Sequence, residues 1–370
     1  KAKLVDCTPF CLYFLNPSLL LSSKAGGSKR LHAGVGTTAV GFYLHQPYEC
    51  PCAKADAIAL TDDLPIVDVF NCQFLEKPTA AYYDDLVNDA GSSGDFNTVR
   101  QLLNKRMKDV CYNTTNTFNF ITDNEASLLM LDNLILTLIN LDKSQTRNSA
   151  FNALISRLCK LGKIEESLRV IDSMARVDCN LNACSFYPIV KVLARSNKIE
   201  EAWRVVDLMR CLRVVPDSMI YNYILMTHCA NGDLSASAVV LTRMEEQKMK
   251  ANGRTYDALV LGACRAGKVE GALVILRRME DDGVPMLLST RLYVIDALLS
   301  LGYYDQAIKF VRTYCGKDAW LDNESFGCLA FRLLKLKRKD EARVVLEEMK
   351  ERKLEMRHAL LKFQENENES

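Results

Sequence analysis

Residues 151–174 read FNALISRLCKLGKIEESLRVIDSM, and this stretch decides the fold. Phe151, Leu154, Ile155 and Leu158 recur at steps of three and four, which lays one apolar stripe along a first helix. Gly162 follows as a turn, and Ile164, Leu168, Ile171 and Met174 supply the stripe of a second helix. Such a hairpin cannot cover both stripes by itself, so it needs copies stacked against it.

The copies are present. Met174, Met209, Met244, Met279 and Met349 are separated by multiples of 35, and Tyr314 fills the gap in that ladder. Phe151, Phe186, Tyr221, Tyr256 and Phe326 keep the step, as do Leu154, Ile189, Ile224, Leu259, Val294 and Leu329. Gly162, Gly232, Gly267 and Gly302 mark the inner turn. Ser167, Ala202, Ser237, Ala272, Ala307 and Ala342 place a small residue where helices approach closely. Six units therefore tile residues 148–357 without an insertion, and their ladders read as core rather than as ligand contacts.

The remainder divides around that array. Residues 79–147 read as two degenerate helical repeats. One starts near Ala80, where Gly94-Asp95-Phe96 precedes Val99, Leu102 and Leu103; the other spans 115–147, with a helix over 128–141. Residues 1–78 are an irregular N-terminal extension with six prolines and no Asp or Glu between Cys7 and Tyr48, a composition that suits a targeting segment or a tail ordered by a partner. Residues 358–370 form a polar tail.

Composition narrows the function classes. No apolar run reaches the roughly 18 residues of a membrane span, so no membrane role is expected. The net charge of +1 gives no overall basic field, but residues 148–357 hold 33 basic and 27 acidic side chains, which concentrates positive charge on the array. Cys159, Cys229 and Cys264 sit inside helical patterns as small apolar residues, which fits a reducing compartment. Cys7 with Cys11 and Cys50 with Cys52, with His32 and His45 between, lack the spacing of a zinc module, and no metal or other cofactor is expected. No deaminase signature, no glycine-rich loop with Lys and no carboxylate cluster is found. The 13 residues after Arg357 leave no room for a catalytic extension, so neither an enzyme nor a small-molecule substrate is expected.

The motifs Phe151-Asn152-Ala153-Leu154-Ile155, Leu158-Cys159-Lys160 and Gly162-Lys163-Ile164-Glu165-Glu166, with Met174 and the join Val215-Pro216-Asp217, closely resemble the pentatricopeptide repeat family. The resemblance covers residues 148–357 strongly and extends loosely upstream. It implies an all-α fold, a right-handed α-solenoid of helix-turn-helix units, and binding of single-stranded RNA in mitochondria or plastids, one base per unit.

It also implies site residues. In the family the fifth and last residues of a unit choose the base. Here those pairs are Asn152 with Asn182, Tyr187 with Asp217, Asn222 with Asn252, Asp257 with Leu287, Leu292 with Asp322, and Gly327 with Arg357. Only the two Asn pairs resemble readers, since an amide offers both a donor and an acceptor to a base edge. The second residue, a clamp on the base faces, is Ser149, Cys184, Met219, Arg254, Ser289 and Glu324, so only the unit with Met219, Asn222 and Asn252 reads as complete. The thirteenth residue, aimed at phosphate, is cationic in four units: Lys160, Arg195, Arg265 and Lys335. Lys335, Lys337, Arg338 and Lys339 form the densest cationic patch.

Intact ladders beside eroded reading positions favour an RNA-associated scaffold in a large organellar ribonucleoprotein, such as the mitochondrial ribosome with its ribosomal RNA and proteins. A transcript-specific stabilising, processing or translation factor needs a contiguous run of readers. A protein-binding solenoid adaptor is the third expectation.

Overall fold

A computed structural model of the chain describes residues 78–177, 179–358 and 360–361. The two cysteine pairs, His32, His45 and most of the N-terminal extension lie outside the described residues, as do the last nine residues of the tail. Every regular element described is an α-helix, and none is long and apolar enough to cross a membrane. The chain divides into two compact units between Ile189 and Val190.

In the first unit, α1 (Ala80–Ser92) and α2 (Phe96–Lys108) form a hairpin. Thr79 accepts from the Tyr82 N–H and Asp95 from the Thr98 N–H, so each helix start has a side-chain cap. Gly94 turns the chain at φ 77°, a left-handed conformation that glycine adopts without Cβ strain. Next come α3 (Glu125–Leu129), α4 (Leu131–Ile139), α5 (Ser144–Lys160) and α6 (Ile164–Arg176). Helix α4 packs on α2, α5 and α6, and α5 pairs with α6 through Phe151, Leu154, Leu158, Val170 and Met174, all buried.

The helix expected over 128–141 is broken at Met130. Its two halves are anchored to different places. The Ser127 hydroxyl donates to the Phe120 carbonyl and accepts from the Thr122 N–H, tying α3 to a turn segment, while Leu131, Leu134 and Leu138 bury one face of α4. That turn segment stands where the first helix of a unit belongs. It is locked by Phe120, whose ring lies against Gly91 so closely that a Cβ there would come within 2.4 Å of it.

Helix α7 (Ala183–Arg195) spans the division between the units. The second unit continues with α8 (Ile199–Cys211), α9 (Ser218–Ala230), α10 (Leu234–Glu246), α11 (Gly253–Arg265), α12 (Val269–Asp281), α13 (Leu288–Ser300), α14 (Tyr304–Thr313), α15 (Ala319–Lys335) and α16 (Lys339–Glu351). First helices α9, α11, α13 and α15 touch in series, and each packs against the second helix that follows it. One continuous core runs from Tyr256 to Leu360 and includes Met279, Phe326 and Met349.

The ladders owe their regularity to packing and to the backbone. Ser167, Ala202, Ser237, Ala272, Ala307 and Ala342 are all fully buried, where a larger side chain would force helices apart. Gly162, Gly232, Gly267 and Gly302 take φ of 70–78°, and the two units lacking that glycine hold Asn197 and Lys337 at φ 56° and 60°. The turn thus demands a left-handed residue whatever the side chain.

Candidate nucleic-acid interface

The fifth residue of each unit lies on a first helix, and Asp217, Asn252 and Leu287, the last residues of three units, stand at the N-caps of the first helices that follow, whereas Asp322 lies within the first turn of α15. That geometry brings Asn222 and Asn252 together: Asn222 Nδ2 donates to Asn252 Oδ1 at 3.1 Å. Thr255 Oγ1 donates to Asn222 Oδ1 at 2.9 Å, and Asn252 Nδ2 donates to Ser218 Oγ at 3.1 Å. Asn252 also caps α11, accepting from the Arg254 and Thr255 N–H groups in a capping box. Asn222 is 5% exposed. The pair expected to be the complete reader is therefore assembled, but its amides are spent on each other and on the next unit.

The same wiring recurs. Asp257 is buried and accepts from Thr290 Oγ1 and Ser289 Oγ, both at 2.7 Å. Burial pushes the Asp257 carboxyl above the usual range, against the hydrogen bonds from Ser289 and Thr290 and the charge of Arg254. Near the other end, Asp84 accepts from Thr117 Oγ1 at 2.7 Å and from Thr114 Oγ1. The offset from fifth residue to hydroxyl is 33 in all three cases, Asn222 to Thr255, Asp257 to Thr290 and Asp84 to Thr117. Tyr83 bonds Asp109 as Tyr256 bonds Asp282, again at one offset, 26. The hairpin from Ala80 thus carries the interior connections of a full unit. Buried Arg106 completes it, donating to Asp84 at 2.7 Å and Thr117 at 3.1 Å.

At the other pairs the last residue is also engaged. Asp217 caps α9 through the Met219 and Ile220 N–H groups, while Met219 itself is half-buried; Tyr187 is half-buried in the other unit. Asp322 is buried against Arg291 at 3.0 Å and accepts from the Gly316 N–H at 2.6 Å. Arg357 pairs with Glu324 at 2.5 Å. Asn182 caps α7 through the Cys184 N–H. Asn152 differs: its Oδ1 is buried with no hydrogen-bond partner among the described residues.

The connecting hydroxyls Thr255, Thr290 and Thr117 went unread in the sequence. Their signal was a Thr on an otherwise apolar stripe, 33 residues after an amide or carboxylate.

The cations are placed differently. Lys160, Arg195, Arg265 and Lys335 are each the last residue of a first helix, and all four are exposed. A cation there complements the helix dipole and still reaches solvent. Lys337 and Lys339 are exposed beside Lys335, whereas Arg338 is held by Glu341 and lies 4.5 Å over the Tyr304 ring.

The described residues hold no group of three His, Cys, Asp or Glu side chains able to bind a metal. Burial pushes the Cys159 thiol up to about 11 and those of Cys229 and Cys264 up to about 12, which keeps them protonated packing groups.

The family model of pentatricopeptide repeat-containing proteins matches residues 125–240, and that of the single repeat matches 254–284. A mitochondrial pentatricopeptide repeat-containing protein of Arabidopsis thaliana is 46% identical over 292 residues, 78% of this chain and 83% of the relative. A second one from that plant is 60% identical over 283 residues, 76% of this chain and 81% of the relative. Among solved structures, maize PPR10 aligns with a TM-score of 0.39 and 14% identity over 77% of this chain, which spans 50% of the PPR10 chain. PPR10 in complex with an 18-nt psaJ RNA element aligns at 0.42 and 18% identity, over 72% of this chain and 42% of that one. Shared sequence of this extent, over most of both chains, makes the protein a mitochondrial plant member of the pentatricopeptide repeat family, with the α-solenoid fold of that family.

Proposed function

We propose that the protein is a non-enzymatic RNA-binding scaffold of a mitochondrial ribonucleoprotein, the mitochondrial ribosome foremost, holding single-stranded or ribosomal RNA by its backbone beside neighbouring proteins. One observation carries this reading. Where the family's base-choosing side chains stand, Asn222, Asn252, Asp257 and Asp322 are consumed by bonds within the solenoid, while Lys160, Arg195, Arg265 and Lys335 remain exposed at a 35-residue register. Cations without base readers bind phosphate and leave sequence undiscriminated.

The test is to lyse mitochondria gently, sediment the lysate at moderate salt with and without ribonuclease, and locate the chain by mass spectrometry. Co-migration with a ribosomal subunit in near-stoichiometric amount is the expected result. Migration as a small ribonuclease-sensitive particle contradicts it and favours a transcript-specific factor. Asn152, with its unspent acceptor, is the observation behind that second reading.

A further inference from the structure

The geometry points to a base-stacking site on α15, in which an unpaired nucleobase of single-stranded RNA lies on the Phe331 ring and the adjoining phosphate on Lys335. This inference rests on the RNA-binding reading above and deepens it. Glu324, Gly327, Phe331 and Lys335 follow one another at steps of three and four, so they share one face of α15. Phe331 is 42% exposed, an unusual place for a phenylalanine in an array whose other phenylalanines, Phe151, Phe186, Phe310 and Phe326, are all buried. In the other five units this position holds Ser156, Lys191, Met226, Leu261 and Asp296, so the aromatic is peculiar to one unit.

Three features make the ring a platform. Gly327, one turn earlier, projects nothing over it, and even an added Cβ there would meet no atom closer than Met349 Cε at 4.0 Å. Lys335 Nζ lies 4.7 Å from the ring centroid, a cation–π contact that is weak at an exposed site and yields to a phosphate. The carboxylates that would repel RNA are neutralised: Glu324 by Arg357 at 2.5 Å, and Asp296 by Arg332. Gly327 stands at the edge-reading position and can read no edge, so the unit offers a ring face in its place. Stacking on a face accepts any base, because every base has one.

The experiment uses the full chain with short RNA oligomers carrying 4-thiouridine. Wild type, Phe331→Ala, Phe331→Trp, Lys335→Glu and Arg265→Glu are compared by fluorescence anisotropy, and crosslinked peptides are mapped by mass spectrometry. The expected result is a crosslink at Phe331. Phe331→Ala then weakens binding by about fivefold to a hundredfold, as the loss of one stacked base implies. Phe331→Trp retains binding, and an unchanged thermal midpoint in Phe331→Ala excludes misfolding.

Wild-type affinity in Phe331→Ala, with binding still lost in Arg265→Glu, overturns the stacking site and leaves the RNA-binding reading standing. Failure of the wild-type chain to bind any RNA overturns both. Retention of an acidic peptide that is lost in Phe331→Ala, with RNA binding unaffected, overturns the site in favour of a protein-docking surface.

Discussion

Asn222 Nδ2 and Asn252 Oδ1, 30 residues apart in sequence, are joined by a 3.1 Å hydrogen bond that closes the one pair the sequence offers as a complete base reader. With Thr255 donating to Asn222 at 2.9 Å, the amides connect successive first helices. Replacing both by alanine is expected to lower stability by about 1–3 kcal/mol, the cost of stranding buried hydrogen-bond partners. RNA affinity and sequence preference should change by less than about threefold, well under 1 kcal/mol. Denaturant titration and RNA anisotropy on the same variant check both statements.

Arg291 takes the ladder position that Tyr256 and Phe326 fill with an aromatic ring, and its guanidinium is buried against Asp322. Removing one partner strands the other charge, so Asp322→Ala is expected to cost about 3–5 kcal/mol. Arg291→Phe combined with Asp322→Asn removes both charges and restores the aromatic, and should cost far less. A double-mutant cycle by chemical denaturation gives the comparison.

Gly91 is required by Phe120. A Cβ at 91 would stand 2.4 Å from that ring, so Gly91→Ala is expected to destabilise the first unit by about 1–3 kcal/mol. Adding Phe120→Leu should recover part of the loss, as thermal unfolding followed by circular dichroism will show.

Glu348 gives the stability a pH dependence. Burial alone would push its carboxyl up, but hydrogen bonds from Arg312 at 2.6 Å and Arg352 at 2.8 Å outweigh it and hold the group below the usual carboxylate range. A depressed folded pKa stabilises above the ordinary carboxylate range and loses that contribution as pH falls through the folded value. Glu348→Gln should therefore lower the thermal midpoint at pH 7, with the gap to wild type closing as the pH drops below about 4.

Lys337 sits at φ 60° where four units use glycine. Lys337→Gly is expected to stabilise the chain by about 1 kcal/mol by relieving that backbone cost, while weakening RNA binding through the lost cation. Opposite signs in the two assays are the signature.

The all-helical repeat fold was legible because its determinants are side-chain size and apolarity at fixed spacing, as in the Met174 to Met349 ladder, and those survive in a linear reading. Two features were not. The break at Met130 depends on Ser127 bonding to Phe120, a tertiary contact that an uninterrupted apolar run conceals. The unit from Ala80 read as degenerate because its apolar ladders are worn, yet its polar connections Asp84–Thr117 and Tyr83–Asp109 repeat those of Asp257–Thr290 and Tyr256–Asp282. At the candidate site, residue types marked candidate positions only, because whether an amide is free or bonded to a neighbouring unit depends on partners 30 to 33 residues away.

The most direct measurement is the affinity of the full chain for a panel of single-stranded RNAs as a function of salt. If four cations meet phosphate and no base is read at its edge, log affinity should fall against log salt with a slope of roughly −3, nearly alike for all sequences. A single sequence preferred by about a hundredfold, with that preference lost in the Asn222→Ala, Asn252→Ala chain, would contradict the account.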